Sequence, residues 1–226
     1  MKKENKRTER SAAGAKVRGM VQTALFAAVI FIMAFTPFLG YIPLGFTRVT
    51  TIHIPVILGS LMLGPGKGAL LGGIFGLTSF INNTVNPTAT SFVFSPFYSL
   101  GEFSGGPASL LICFVPRILV GVIPWCIYKL VKKCSKKEGT SGAGLILAGI
   151  GGSLTNTLLV MNLIFVFFRE AYAAANEVTV RAVYGFILTV IGTNGVPEAI
   201  VAGVLTLALG KVLLRGRMKK NLGVAK

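Results

Sequence analysis

RVTTIHIPVILGSLMLGPGKGALLGGIFGLTSFINNTVNPTATSFVFSPF, residues 48–97, is the stretch whose reading decides the fold. An apolar run from 51 to 64 ends in Gly64-Pro65-Gly66, a dipeptide pair that punctuates rather than continues regular structure. A second apolar run, 67–81, follows at once and carries Gly68, Gly72 and Gly76, four apart on one helical face. Small residues at that spacing let helix backbones approach closely inside a bilayer. The stretch then turns polar at Asn82, Asn83, Thr84 and Asn86, too hydrophilic to cross a membrane. It still holds Phe92, Phe94, Phe97 and Tyr98. Two short apolar helices joined by a sharp turn, with a polar and aromatic segment at 82–107, fit an integral membrane bundle.

The rest of the chain extends the pattern. Further apolar runs lie at about 19–39, 108–131, 143–168 and 183–210. A helical span needs about 20 apolar residues, so six would use roughly 120 of them. The 226 residues are 53% hydrophobic and 13% charged, with a mean hydropathy of +0.73. Soluble domains carry about twice that share of charge. The expected architecture is all-α: six transmembrane helices occupying 19–214, between a basic tail at 1–18 and another at 215–226. A secretory signal is the rival reading of the amino-terminal region. The first apolar run is too long for one and shows no small-residue cleavage site. Long unbroken apolar runs argue against an outer-membrane barrel.

The net charge of +16 would suit nucleic acid, but its placement gives another reason for it. Seven Lys/Arg fall in 1–18, one at Lys67, five between Lys129 and Lys137, and six from Lys211 onward. These nineteen lie on one side of a six-span chain. The other side balances Arg48, Arg117, Arg169 and Arg181 against Glu102, Glu170, Glu177 and Glu198. Positive loops stay cytoplasmic, which puts both tails inside and makes a nucleic-acid partner unnecessary. There is no Asp, one His and no phosphate-binding or metalloprotease motif, so neither an enzyme nor an intrinsic ATPase is expected and no cofactor is implied. Three Cys show no redox or zinc spacing.

Polar side chains at membrane depth are costly, and by default they are candidates for function. Arg117 follows Pro116 in the fourth run. Asn156 and Asn162 lie in the fifth. Asn194 and Glu198 share a face of the sixth, with Pro197 between them removing a helical hydrogen bond. The outer loops add Arg48, the Asn82–Asn86 cluster and the aromatics. Structural alternatives stand beside each: an Arg117–Glu198 ion pair, Asn156 as interhelical glue, the asparagines as turn formers, the aromatics as an interfacial belt, and His53 as a hydrogen-bonded structural residue. Small-residue faces in runs three and five are expected to pack within the bundle. Ala24 and Ala28 in run one fit either packing or docking onto another membrane protein.

The 48–97 stretch, together with TNTLLV at 155–160 and NGVPEAIVAGVL at 194–205, resembles the substrate-binding S components of energy-coupling factor (ECF) vitamin transporters. HIPVILG and FINNTVNPT…SFVFSPF are most similar to the pantothenate-type members. The riboflavin type shares the second run but has acidic residues where RVTT stands here. The resemblance implies a six-helix fold in the cell membrane and an outward pocket for a small vitamin. It implies as partners a transmembrane T component and two ATPases, with Ala24 and Ala28 as the docking face. The vitamin would be of the pantothenate kind. Its carboxylate would suit Arg48 or Arg117. Its amide and hydroxyls would suit Asn83, Asn156, Asn162, Asn194 and Glu198, and its gem-dimethyl group Phe92 and Phe97. The rival functions are an S component for riboflavin or another vitamin, an assembly subunit without a ligand, and a carrier working alone.

Overall fold

The computed structural model describes the backbone of residues 2–44, 47–134 and 141–221, and the side chains of 13–41, 50–134 and 141–214. In chain order it runs α1 (Lys2–Phe35), β1 (Tyr41–Leu44), β2 (Thr47–Thr50), α2 (His53–Leu63), α3 (Pro65–Val85), a 3-10 turn (Ser91–Val93), β3 (Ser99–Leu100), β4 (Phe103–Ser104), α4 (Pro107–Val120), α5 (Ile123–Cys134), α6 (Gly142–Ala175), α7 (Val183–Val190), a π turn (Ile191–Gly195) and α8 (Val196–Asn221). The protein is mostly helical; the strands form two small antiparallel hairpins.

Four helical stretches are long and apolar enough to cross a bilayer among the described residues: Ala13–Phe35, Pro107–Cys134, Gly142–Ala175 and Val183–Leu214. The other two expected segments are α2 and α3. With 11 residues, α2 is only about 16 Å long, roughly half the hydrocarbon thickness. It is buried from His53 to Leu61, so it is a central strut of the bundle. Gly64 ends it with φ +93° and ψ 170°, a backbone state open to glycine and little else. Pro65 then opens α3, where its missing N–H costs nothing.

The glycine ladder of α3 packs on α4, running antiparallel to it. A Cβ at Gly68 would strike the Gly121 carbonyl, one at Gly72 the Arg117 carbonyl, and one at Gly76 the Phe114 ring. In α6, Gly144 lies against Tyr128, Gly152 against Ile57 and Pro124, and Gly149 against the Ala202 backbone of α8. Both small-residue stripes therefore lie inside the bundle, as expected. The stripe in α1 does not: Ala24 and Ala28 are exposed. That helix holds itself to the bundle with Thr23, Ile30 and Ala34.

Several boundaries differ from the sequence reading. The fourth run is two helices, α4 and α5, parted by a turn at 121–122 where Gly121 sits directly on the Gly68 backbone. The fifth helix runs on to Ala175, past a kink at Phe168. It takes in part of the expected Arg169–Arg181 loop, whose first two residues form an exposed ion pair at 3.7 Å. The sixth run is interrupted before Pro197. The N–H of Val196 reaches back five residues to the Ile191 carbonyl, widening one turn to a π turn. Segment 82–107 holds a 3-10 turn and a hairpin among its described residues, and no long surface helix.

Two cores fill the bundle. One joins α1, α2, α3 and the inner part of α6 around Ile57, Leu71, Phe75 and Leu145. The other gathers Phe92 and Val93 with Ile112, Ile164, Tyr172 and Ile187.

Candidate functional site

Between these cores lies a cavity of about 450 Å³, within the size range of small-molecule sites. Its wall is assembled from seven regions. The first hairpin gives Tyr41 and Thr50; α3 gives Ser79 and Asn83. The loop after α3 gives Thr88, Thr90 and Phe94. Arg117 comes from α4, and Asn156, Thr157, Val160 and Tyr172 from α6. Asn194 comes from the π turn and Glu198 from α8.

Arg117 is 6% exposed. One guanidinium N–H donates to the Ile112 carbonyl at 2.7 Å, while the buried Nε has no partner among the described residues. The guanidinium carbon stands 4.9 Å from the Phe94 ring centroid and 5.7 Å from that of Phe75. The aromatic faces attract the cation without neutralising it. No ion pair joins Arg117 to Glu198 among the described residues. The Glu198 carboxylate instead accepts the Thr50 backbone N–H at 2.6 Å. The ion-pair alternative is thereby set aside, and the cavity keeps a buried cation without an ion pair to a carboxylate among the described residues.

Asn156 is buried, and its amide oxygen lacks a partner among the described residues. A buried acceptor left unsatisfied is costly unless something else supplies a donor. Asn83 is differently placed. Its amide nitrogen donates to the Ser79 carbonyl at 2.8 Å and its oxygen accepts from the Ser91 hydroxyl at 2.9 Å. That hydroxyl also receives the Thr88 N–H at 2.8 Å. Asn83 therefore ties the loop carrying Phe94 to α3 while contributing to the wall.

Five of the sequence-proposed residues thus share one cavity: Asn83, Arg117, Asn156, Asn194 and Glu198. Three stand elsewhere. Phe92 is fully buried in the second core, edge-on to Phe168 at 5.8 Å. Phe97 is 78% exposed beside Phe80. Asn162 is exposed, and its amide donates to the Leu158 carbonyl at 2.7 Å. Six residues beyond Asn156, it is rotated by about 240° around the helix. The side chain of Arg48, on β2 opposite Pro43, lies outside the described residues.

Phe94, between Phe92 and Phe97, supplies the aromatic wall instead. Tyr41, Thr50 and Ser79 join the site with no signal in the sequence beyond their position at the ends of apolar runs. Thr157, which follows Asn156 in α6, lines the same cavity.

Comparison with known proteins gives a consistent set of relatives. The family model for the ECF transporter substrate-specific component matches residues 18–210. The pantothenic acid transporter PanT of Lactococcus lactis subsp. cremoris (strain MG1363) is 38% identical over 197 residues, 86% of this chain and 92% of the relative. The pantothenate transporter PanT of Leuconostoc mesenteroides subsp. mesenteroides is 29% identical over 205 residues, 88% and 93% of the two chains. A solved structure of the S-component for biotin from an ECF-type ABC transporter aligns with a TM-score of 0.49 at 18% identity, over 88% of this chain and 93% of that one.

Proposed function

This chain belongs to the family of ECF transporter substrate-specific components, and from that we propose that its cavity captures pantothenate from outside the cell for ATP-driven uptake. It is a multi-pass membrane protein with a transport role. The observation that carries the substrate reading is Arg117: a buried guanidinium on the cavity wall, with no ion pair to a carboxylate and its Nε unpartnered among the described residues. Pantothenate brings a carboxylate, which suits the planar donor fork. It also brings an amide and two hydroxyls for Asn156 and Asn194, and a gem-dimethyl group for Phe94 and Val160. The names of two relatives point to the same vitamin.

The wider proposal takes α2 and α3 as the second and third of six spans. Both basic tails, 1–18 and 215–226, lie in the cytoplasm, flanking a transmembrane domain at 19–214. As in the family, the partners are a transmembrane T component and two ATPases. We assign the contact with the T component to the outward face of α1, because Ala24 and Ala28 are exposed there while the other small-residue stripes are consumed by internal packing.

Equilibrium binding to the purified chain in detergent tests the substrate. Pantothenate should bind, and riboflavin and biotin should not. Binding of riboflavin in place of pantothenate would move the chain to another vitamin. Failure of every vitamin in the panel would favour an assembly subunit without a ligand.

A further inference from the structure

In the first hairpin Tyr41 pairs with Thr50, and Thr51 returns its N–H to the Gly40 carbonyl at 3.0 Å. Antiparallel ladders alternate, so the Thr50 N–H points away from β1. A strand N–H turned outward ordinarily meets water. This one meets the Glu198 carboxylate of α8 at 2.6 Å, across 148 residues of chain. Glu198 is buried and makes no ion pair among the described residues. Tyr41, Thr50 and Glu198 all line the cavity. The bond therefore joins the wall contributed by β1–β2 to the wall contributed by α8.

We propose that Glu198 is a positioning residue of the capture site: its carboxylate anchors the Thr50 backbone to α8 and so holds the paired Tyr41 in the cavity wall. Among the described residues this is a direct backbone-to-side-chain tie from the strand pair to α8, which suits an anchor. The placement follows from the π turn. Widening the helix ahead of Pro197 sets the register in which Glu198 reaches Thr50.

The affinity readout rests on the pantothenate reading above; the exchange readout does not. The first measurement is amide hydrogen exchange at Thr50 in the full, ligand-free chain. Glu198→Ala should speed it roughly tenfold to hundredfold, the range that follows from leaving a buried donor without its acceptor. Glu198→Gln, which keeps an acceptor oxygen, should leave Thr50 protected. Unchanged exchange in Glu198→Ala overturns the proposal even if pantothenate does not bind the parent protein.

The second measurement is pantothenate affinity. Thr50→Pro removes the donor, Glu198→Ala the acceptor. Each should weaken binding by a similar factor, and the double variant should be no worse than either. If Glu198 served only as a direct ligand contact, Thr50→Pro would be harmless and the two effects would add, which contradicts the anchor. Should Thr50→Pro fail to fold by thermal unfolding, the exchange of Glu198→Ala against Glu198→Gln decides alone.

Discussion

Arg117 lines the cavity with one guanidinium N–H on the Ile112 carbonyl and its Nε unpartnered among the described residues. Pro116 precedes it in α4, Gly72 presses on its backbone, and two phenyl rings flank its guanidinium. Its charge is legible in the sequence; its freedom from Glu198 is not, since two opposite charges at membrane depth invite a pair. What diverted Glu198 is a backbone N–H that no sequence pattern announces. Arg117→Ala should weaken pantothenate binding by about 2–5 kcal/mol, the cost of removing one partner of a buried charged contact. Isothermal titration checks this, and pantothenol, which lacks the carboxylate, should bind parent and variant with similar weak affinity. Asn156→Leu removes the unpartnered acceptor and should cost about 1–3 kcal/mol of binding, while its thermal stability holds or rises because a buried unsatisfied oxygen disappears. The three residues that missed the cavity fail for geometric reasons. Phe92 and Phe94 lie two apart around a 3-10 turn, which sends one into the core and the other to the wall. Asn162 shares a helix with Asn156 but not a face.

At the scale of the element, the patterns that repeat were legible and the interruptions were partly so. The glycine spacing of α3 and the Gly64-Pro65-Gly66 break follow directly from sequence, because each has a local steric cause. The division of the fourth run at Gly121 does not, because the Gly68 backbone on which it sits belongs to another helix. Gly72→Leu places a side chain against the Arg117 carbonyl, where backbone must move. The expected result is a loss of about 1–3 kcal/mol of stability from overpacking, read by thermal unfolding, with pantothenate affinity falling in step as Arg117 shifts. Pro197 is the other lever. Pro197→Ala restores a backbone donor and favours a regular helix over the π turn, a feature often found at functional sites. It should hold or raise the melting temperature while lowering affinity, because Asn194 and Glu198 rotate relative to the cavity. Unchanged affinity would show that the π turn is incidental to the site.

For the whole molecule, the proposed placement of both basic tails in the cytoplasm would account for a basicity that would otherwise suggest nucleic acid. The same sequence hid the unequal status of its six apolar runs. Four are long enough to cross alone, whereas α2 is short and wrapped by the others. The placement of α1 follows from what the bundle leaves unused. Replacing Ala24 or Ala28 by Leu should abolish ATP-driven uptake in cells carrying the T component and ATPases, with pantothenate binding by the isolated chain unchanged. Loss of both would assign those alanines to folding. The account depends most on the cavity being a pantothenate site built around Arg117. Its most direct test is mass spectrometry and titration of the purified parent chain beside Arg117→Ala. Pantothenate bound one to one by the parent and lost from the variant is the predicted result; no pantothenate on the parent, or equal binding by both, would contradict it.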